Sequence, residues 1–243
     1  MRVSTIARPR AAGKAALIAA TLVASVATSV APASAADSPM SAESASYVAW
    51  LAAQQSTEAD EIARQFKELS PQNQQKFLGY LNDSAIAKAM ADAATEAAPA
   101  SKVELAGGDV TLEAETGAKQ TAAPSQGELS AAGTAGDWQC WSHRSQKVFG
   151  IKVTTYKLDQ WYRASSSKVT KVYNVAARIK NWNPGVIIDN QPEEQWISKA
   201  GNALAYVTWN GKITVSGLTV QVDKRQHVRC DETGFRYDYL KNA

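Results

Sequence analysis

The chain has 243 residues, with 26 lysines and arginines against 23 aspartates and glutamates. Beyond its first 35 residues no segment approaches 18 consecutive apolar residues, which excludes a membrane-spanning helix from the mature chain. The 208 residues after position 35 allow one or two domains.

Residues 1–35 have the features of a secretory signal peptide. Four basic residues precede an apolar run over positions 15–30, and Ala33-Ser34-Ala35 ends it in the small-x-small pattern that signal peptidase accepts. The run is too short and too rich in alanine for a good membrane anchor. We therefore expect a secreted, extracellular protein whose mature form begins near residue 36.

The charge of the mature chain is divided between two halves. Residues 36–136 contain 6 basic and 14 acidic residues, a net charge of −8, whereas residues 137–243 contain 16 and 9, a net charge of +7. Either the halves attract each other, or the basic half binds an anionic cell-wall polymer, a membrane surface or an acidic protein. Ordinary solvated surface is the alternative. A charge of +7 spread over many strands is not the dense patch expected for nucleic acid.

Residues 36–98 predict a small helical module. Thr57 is expected to cap one helix, and Ser70-Pro71 gives the next helix a cap residue and a proline in its first turn. That helix should end near Asn82, where Asp83 caps a fourth segment. Because the module has few large side chains, it should be marginally stable unless it packs on the other module or on a partner.

Residues 99–136 are rich in alanine, glycine, serine and threonine, which predicts a flexible linker and a site for proteolysis. One island, residues 110–115, alternates between apolar and polar side chains. It is either a strand that adds to a sheet edge, of this chain or of a partner, or a lone strand within a disordered linker.

Residues 137–243 predict an antiparallel β domain. Six of the seven tryptophans and six of the eight tyrosines lie in this segment, and seven or eight alternating runs separated by turn signals favour a β-sandwich or a small barrel. In an exported protein Cys140 and Cys230 are expected to form a disulfide. The predicted fold class is therefore α+β, with a helical module followed by a disulfide-closed β domain.

The segment from Ala203 to Cys230 predicts a β-hairpin with one buried face. Apolar residues fall on odd numbers before Ser216-Gly217 and on even numbers after it, so a turn at that dipeptide pairs position i with position 433 − i. Asn210-Gly211 is the competing turn signal. Lys224 and Gln226 have the inward parity, and we expect a β-bulge near them to turn them outward.

The outward face of this hairpin is a candidate binding site. The pairing places Tyr206 opposite His227, so aromatic and basic groups are neighbours on a solvated face that suits an anionic polymer or a carboxylate-bearing partner. Trp182 lies in a separate Asn-Pro-Gly loop, where it can stack on a sugar, anchor in a headgroup layer or fold back on the core. The candidate binding residues are Tyr206, Lys212, Arg225, His227, Arg229 and Trp182. The alternative is the ordinary solvent face of an antiparallel sheet.

No motif for catalysis or for binding a cofactor or metal is evident in the sequence. Only His143 and His227 could serve as a general base, and there is no Gly-x-Ser-x-Gly or His-Glu-x-x-His motif. Glycoside hydrolysis would need two carboxylates, but most of those available, such as Asp159, lie at predicted turns or outward positions. A hydrolase remains a further hypothesis, and it would require a concave site that gathers two carboxylates or a histidine with a partner.

Both modules resemble a group of secreted proteins of actinobacteria and related Gram-positive bacteria. The similar runs are FKELSPQNQQKFLGYLN at 66–82, FGIKVTT at 149–155, VTWNG at 207–211 and VDK at 222–224. More distantly, the β module looks like the single-domain proteins grouped with geobacillin-type large bacteriocins, which would imply antibacterial activity.

These observations lead to two expectations. The first is a secreted, non-enzymatic binding protein that acts through its basic, aromatic-rich β domain on an extracellular or cell-surface anionic partner. In the second, the β domain is a bacteriocin-like toxin, and the helical half is a removable pro-segment that masks its basic face.

Overall fold

The computed structural model describes residues 41–96, 101–122, 135–215 and 218–243, all of which belong to one compact unit. The helices are α1 (Ala42–Ala53), α2 (Thr57–Glu68), α3 (Pro71–Leu81) and α4 (Ser84–Glu96). The strands are β1 (Lys102–Leu105), β2 (Val110–Ala122), β3 (Gly136–Val148), β4 (Ile151–Ala164), β5 (Val169–Asn181), β6 (Val186–Asn190), β7 (Glu194–Ile197), β8 (Ala203–Val215), β9 (Leu218–Asp231) and β10 (Gly234–Asn242). The predicted signal peptide lies outside the described residues.

The helices begin where cap residues satisfy their first free N–H groups. The Ser70 hydroxyl accepts a hydrogen bond from the backbone N–H of Asn73, and Pro71 occupies the first turn of α3, as predicted. Asp83 caps α4 as predicted, since its carboxylate accepts from the backbone N–H of Ala85. The cap of α2 is Ser56, one residue before the predicted Thr57.

The helices pack on one end of the strands. Tyr47, Phe66 and Phe77 form the centre of the helical core, with ring centroids 5.0 to 5.6 Å apart. The same apolar cluster continues into the strands and includes Val110, Val148, Ile151, Val153 and Trp182. An exposed ion pair between Glu58 and Lys180, at 2.9 Å, also joins the acidic and basic halves. Because such surface pairs contribute little, apolar burial is the main contact between the halves.

The strands form two antiparallel sheets, and neither closes on itself within the described residues. The first has the order β1-β2-β3-β4-β5, and the second has the order β10-β9-β8-β6, with β7 also paired to β8. Their shared core consists of Leu112, Cys140, Leu158, Tyr162, Ala164 and Val169 from the first sheet, and Ala203, Ala205, Val207, Trp209, Val228, Cys230 and Leu240 from the second. The predicted disulfide between Cys140 and Cys230 is present and joins the two sheets. The predicted α+β class is confirmed at this level.

The flexible linker predicted over residues 99–136 is wrong for the part that the structure describes. Strand β2 pairs with β1 on one side and with β3 along almost its whole length on the other. Its small residues serve close packing: a Cβ on Gly117 would lie 2.5 Å from Cζ2 of Trp141, so the indole needs a glycine beneath it. The island at 110–115 is therefore a strand in the protein's own sheet, and residues 99–100 and 123–134 lie outside the described residues.

The predicted hairpin register is confirmed. Pairing runs from Ala203 with Cys230 to Val215 with Leu218, and Asn210-Gly211 lies within β8. The turn dipeptide itself is outside the described residues. The expected bulge at Lys224 and Gln226 is wrong, because the register of β8 and β9 has no shift there and both side chains are buried.

Hydrogen bonds to three partners explain why these polar side chains remain inside. Oε1 of Gln226 accepts from the indole Nε1 of Trp209 at 2.9 Å, and its Nε2 donates to the backbone carbonyl of Ser142, in the first sheet, at 2.7 Å. The Lys224 ammonium donates to Oδ1 of Asn242 at 2.6 Å. Buried polar groups are tolerated when they are hydrogen-bonded, so strand parity is retained.

A charged pair is buried beside this hydrogen-bond network. Nη2 of Arg144 donates to Oδ2 of Asp238 at 2.5 Å, and both side chains are fully buried. The Ser142 hydroxyl donates to the same carboxylate oxygen at 2.7 Å. The pair links β3 of the first sheet to β10 of the second.

Candidate binding face of the second sheet

The side of the second sheet that faces away from the shared core carries a set of aromatic rings, which we call the aromatic face. It consists of Trp196 in β7, Tyr206 in β8, His227 in β9, and Tyr237 and Tyr239 in β10. Its geometry follows from strand pairing, because His227 lies directly opposite Tyr206 on one side and Tyr239 on the other. Side chains at directly opposed positions share a face and come into contact.

The rings are in continuous contact. Trp196 meets Tyr206 edge to face with centroids 5.8 Å apart, and lies 6.5 Å from His227. His227 stacks on Tyr239 with an interplanar angle of 7° and a centroid distance of 4.8 Å. Tyr237 then lies 5.8 Å from Tyr239. Trp196 and Tyr237 are the most open members, with exposed fractions of 39% and 44%.

Three cations border the aromatic face: Arg225, Arg229 and Lys241. The guanidinium of Arg225 lies 4.7 Å from the ring centroid of Tyr206, and the ammonium of Lys241 lies 4.6 Å from that of Tyr239. Arg229 is exposed and follows His227 by two positions on β9, so it lies on the same face.

Arg225 and Arg229 differ from the other described arginines in having no carboxylate partner. Of the seven described arginines, five form salt bridges with carboxylates. The two that do not are Arg225 and Arg229, and Lys241 likewise has no carboxylate partner among the described residues. Even with the carboxylate of Glu194, which lies opposite Tyr206 at the edge, these three cations leave the face with a net positive charge.

His227 is the most buried ring of the aromatic face. Only 7% of the residue is exposed, and its Nδ1 has no hydrogen-bond partner among the described residues. Burial, together with the charges of Arg229 and Lys241, lowers the pKa of His227 to about 4. The imidazole is therefore neutral at neutral pH and acts as an aromatic plate. At the edge, a hydrogen bond to Glu194 raises the pKa of the Tyr206 hydroxyl.

The structure brings four of the six sequence-predicted binding residues together. Tyr206, Arg225, His227 and Arg229 are on the aromatic face or at its border, as the register predicted. Lys212 is exposed and has the same parity, but it lies six positions along β8 from Tyr206, about 20 Å away.

Trp182 does not belong to this surface. It is only 9% exposed and packs in the helical core, where its backbone carbonyl accepts a hydrogen bond from the Tyr47 hydroxyl at 2.9 Å. Of the alternatives for this loop tryptophan, the one that folds back on the core is observed. The apolar ends of the strands need a cover, and the helices and Trp182 provide it together.

Sequence reasoning missed Trp196, Tyr237, Tyr239 and Lys241. The alternation of Phe235, Tyr237 and Tyr239 is typical of a strand, but it does not show which strand its neighbour is. In the structure β10 pairs with β9, which places both tyrosines beside His227. The alternation of residues within one strand does not show the order of the strands in a sheet, so these residues could not be placed in the site from the sequence.

A second polar cluster lies on the outward side of the first sheet, around Asp159. Its Oδ1 is 3.2 Å from Nε2 of His143 and accepts from Nε2 of Gln139 at 3.1 Å, while Oδ2 accepts from Nη2 of Arg178 at 2.9 Å. Burial by itself would raise the pKa of Asp159, but the hydrogen bonds from His143 and Arg178 outweigh it, and the pKa is lowered. His143 thus has a carboxylate partner, one of the features that a hydrolase would require.

The rest of a hydrolytic site is not assembled there. None of the described serine or threonine hydroxyls hydrogen-bonds to His143, so no nucleophile of the Ser-His-Asp type stands beside it. The described residues also contain no group of three or more His, Cys, Asp or Glu side chains that could hold a metal ion. Asp159 acts in the described structure as a hub that fixes its three donors.

Comparisons with known proteins find no matching family model, no matching curated protein and no matching solved structure. None of the described helices is long and apolar enough to cross a membrane.

Proposed function

We propose that this is a secreted, non-enzymatic binding protein that holds an anionic polymer of the cell surface through its aromatic face. The observation that carries the proposal is the position of Arg225 and Arg229. They are the two described arginines without a carboxylate partner, and they border exposed aromatic rings. A cation that the protein leaves uncompensated beside an open apolar surface is suited to an anionic ligand.

The arrangement also favours binding by limiting its entropic cost. Arg225 and Lys241 rest on the rings of Tyr206 and Tyr239, so their side chains are partly ordered before a ligand arrives. The exposed surfaces of Trp196 and Tyr237 add apolar area that a ligand can cover.

The proposal places the protein outside the cell. A disulfide between two core strands fits an oxidising compartment, and the signal-like leader fits export. The two sheets are taken as the layers of a β-sandwich, with the aromatic face as the outer surface of one layer. The helical module is taken as a permanent part of the fold, because it buries the apolar ends of the strands instead of masking a basic face.

The test is cosedimentation with insoluble Gram-positive cell walls at about 50 and about 500 mM sodium chloride, concentrations between which screening of exposed charges increases strongly. The variant is Arg225→Gln/Arg229→Gln. Its control, Lys119→Gln/Lys152→Gln, removes the same charge from exposed positions on the first sheet. We expect binding at low salt by the unmodified protein and the control, and its loss in the arginine variant and at high salt. The proposal is overturned if the unmodified protein does not sediment with the walls, or if the two variants bind equally.

A further inference from the structure

The positions of the exposed rings narrow the class of ligand. Strand pairing places Trp196 opposite Leu204, Leu204 opposite Arg229, and Arg229 opposite Tyr237. One row of side chains therefore crosses four strands. In order, it contains the ring of Trp196, the apolar side chain of Leu204, the guanidinium of Arg229 and the ring of Tyr237. The ring centroids of Trp196 and Tyr237 lie 6.5 and 6.2 Å from that of His227, so the two exposed rings are at most about 13 Å apart.

We propose that the ligand is an acidic polysaccharide, whose pyranose rings stack on Trp196 and Tyr237 while its carboxylates bind Arg229 and Arg225. This inference rests on the proposed function and specifies its ligand. Aromatic side chains offer large apolar faces, which match the C–H faces of pyranose rings. A guanidinium forms bidentate hydrogen bonds with a carboxylate. The row from Trp196 to Tyr237 presents both features within the span of a short run of sugars.

Other anionic polymers fit this row less well. Polyphosphate has no apolar face, so it would leave Trp196 and Tyr237 uncovered. Single-stranded nucleic acid binds aromatic platforms by stacking its bases. The net charge of +7 on residues 137–243 is spread over many strands and does not form the dense basic patch expected of a nucleic-acid site. Because bases could stack on the same exposed rings, oligo(dT) is a competing ligand in the test below.

The experiment measures the affinity of the full secreted protein for a panel of soluble polymers by affinity electrophoresis. Polygalacturonate, hyaluronate and alginate are acidic polysaccharides, dextran is a neutral one, polyphosphate is an anion without rings, and oligo(dT) is a nucleic acid. The variants are Trp196→Ala and Arg225→Gln/Arg229→Gln. The control is Tyr173→Ala, which removes a ring of equal exposure, 39%, from the first sheet.

At least one acidic polysaccharide should bind more tightly than dextran, polyphosphate and oligo(dT). Trp196→Ala should weaken its binding about tenfold, as expected for the loss of one stacked ring, and leave the binding of polyphosphate unchanged. Tyr173→Ala should have no effect on either. The arginine variant should lose both acidic polysaccharide and polyphosphate.

The outcomes separate the two proposals. The ligand class is wrong if polyphosphate or oligo(dT) binds as tightly as every acidic polysaccharide, or if Trp196→Ala has no more effect than Tyr173→Ala. In either case the cell-wall test alone decides the proposed function. If no anionic polymer binds and cell walls are not bound either, both proposals fail.

Discussion

Replacing Asp238 with asparagine should destabilise the fold strongly. The substitution keeps the size of the side chain but removes the charge that compensates Arg144, and both side chains are fully buried. Nε of Arg144 already has no partner among the described residues, so the cation depends on this carboxylate. Removing one partner of a buried ion pair costs about 3 to 5 kcal/mol. For a chain of this size each kcal/mol lowers the thermal midpoint by about 2 to 4 °C, so we expect a decrease of roughly 6 to 20 °C.

The assay is thermal unfolding followed by circular dichroism under non-reducing conditions. Asp92→Asn is the matched control, because it makes the same chemical change in the exposed Lys88–Asp92 pair and should shift the midpoint far less. The double variant Arg144→Met/Asp238→Leu should recover most of the loss, since an apolar pair of similar volume avoids the unpaired charge. The reasoning is refuted if Asp238→Asn shifts the midpoint no more than Asp92→Asn does.

Three further predictions concern single side chains. The pKa of His227 is lowered to about 4 from 6.5, so protonation favours the unfolded chain. The free energy of unfolding, measured in urea, should therefore fall as the pH decreases from 6.5 to about 4, and it should fall less in His227→Phe. Equal dependence of stability on pH in the two proteins would contradict this. Gly117→Ala should lower the free energy of unfolding by about 1 to 3 kcal/mol, because Trp141 must move to make room for the new Cβ. Gly79→Ala is the control: its Cβ would meet no atom within 4 Å, so it should stabilise α3 by about 0.5 to 1 kcal/mol. Equal effects of the two substitutions on unfolding in urea would refute this. Gln226→Leu should lower the free energy of unfolding in the same assay by about 1 to 3 kcal/mol, because it leaves the buried indole N–H of Trp209 unpaired. An unchanged stability would contradict this prediction.

The parts that could be predicted from the sequence are those fixed by local pattern. The hairpin register followed from a period of two that changes parity at one dipeptide, and Tyr206 and His227 were correctly paired on that basis. Ser70-Pro71 and Asp83 fixed helix starts because capping requires those residue types at those positions.

The parts that could not be predicted depend on contacts between distant segments. Gly117 in β2 has the character of a linker residue because Trp141 covers it, and nothing near residue 117 records that tryptophan. Gln226 is polar yet buried because Trp209 and Ser142 satisfy it, and Ser142 is 84 positions away. Trp196 and Tyr239 joined the candidate site through the order of strands, which the alternation within each strand does not determine.

The proposed binding face and the buried network depend on each other through β9. Gln226 is bonded to Ser142 in the first sheet, while its neighbours Arg225 and His227 point outward to the aromatic face. Two residues along, Val228 is buried in the shared core and Arg229 is again outward. The strand that presents these two arginines is therefore fixed to the opposite sheet at Gln226 and Val228, which holds the face in place before a ligand binds and reduces the entropic cost of binding. For the same reason, a loss of binding in an Arg225 or Arg229 variant can be assigned to charge, because these substitutions leave the inward residues of β9 in place.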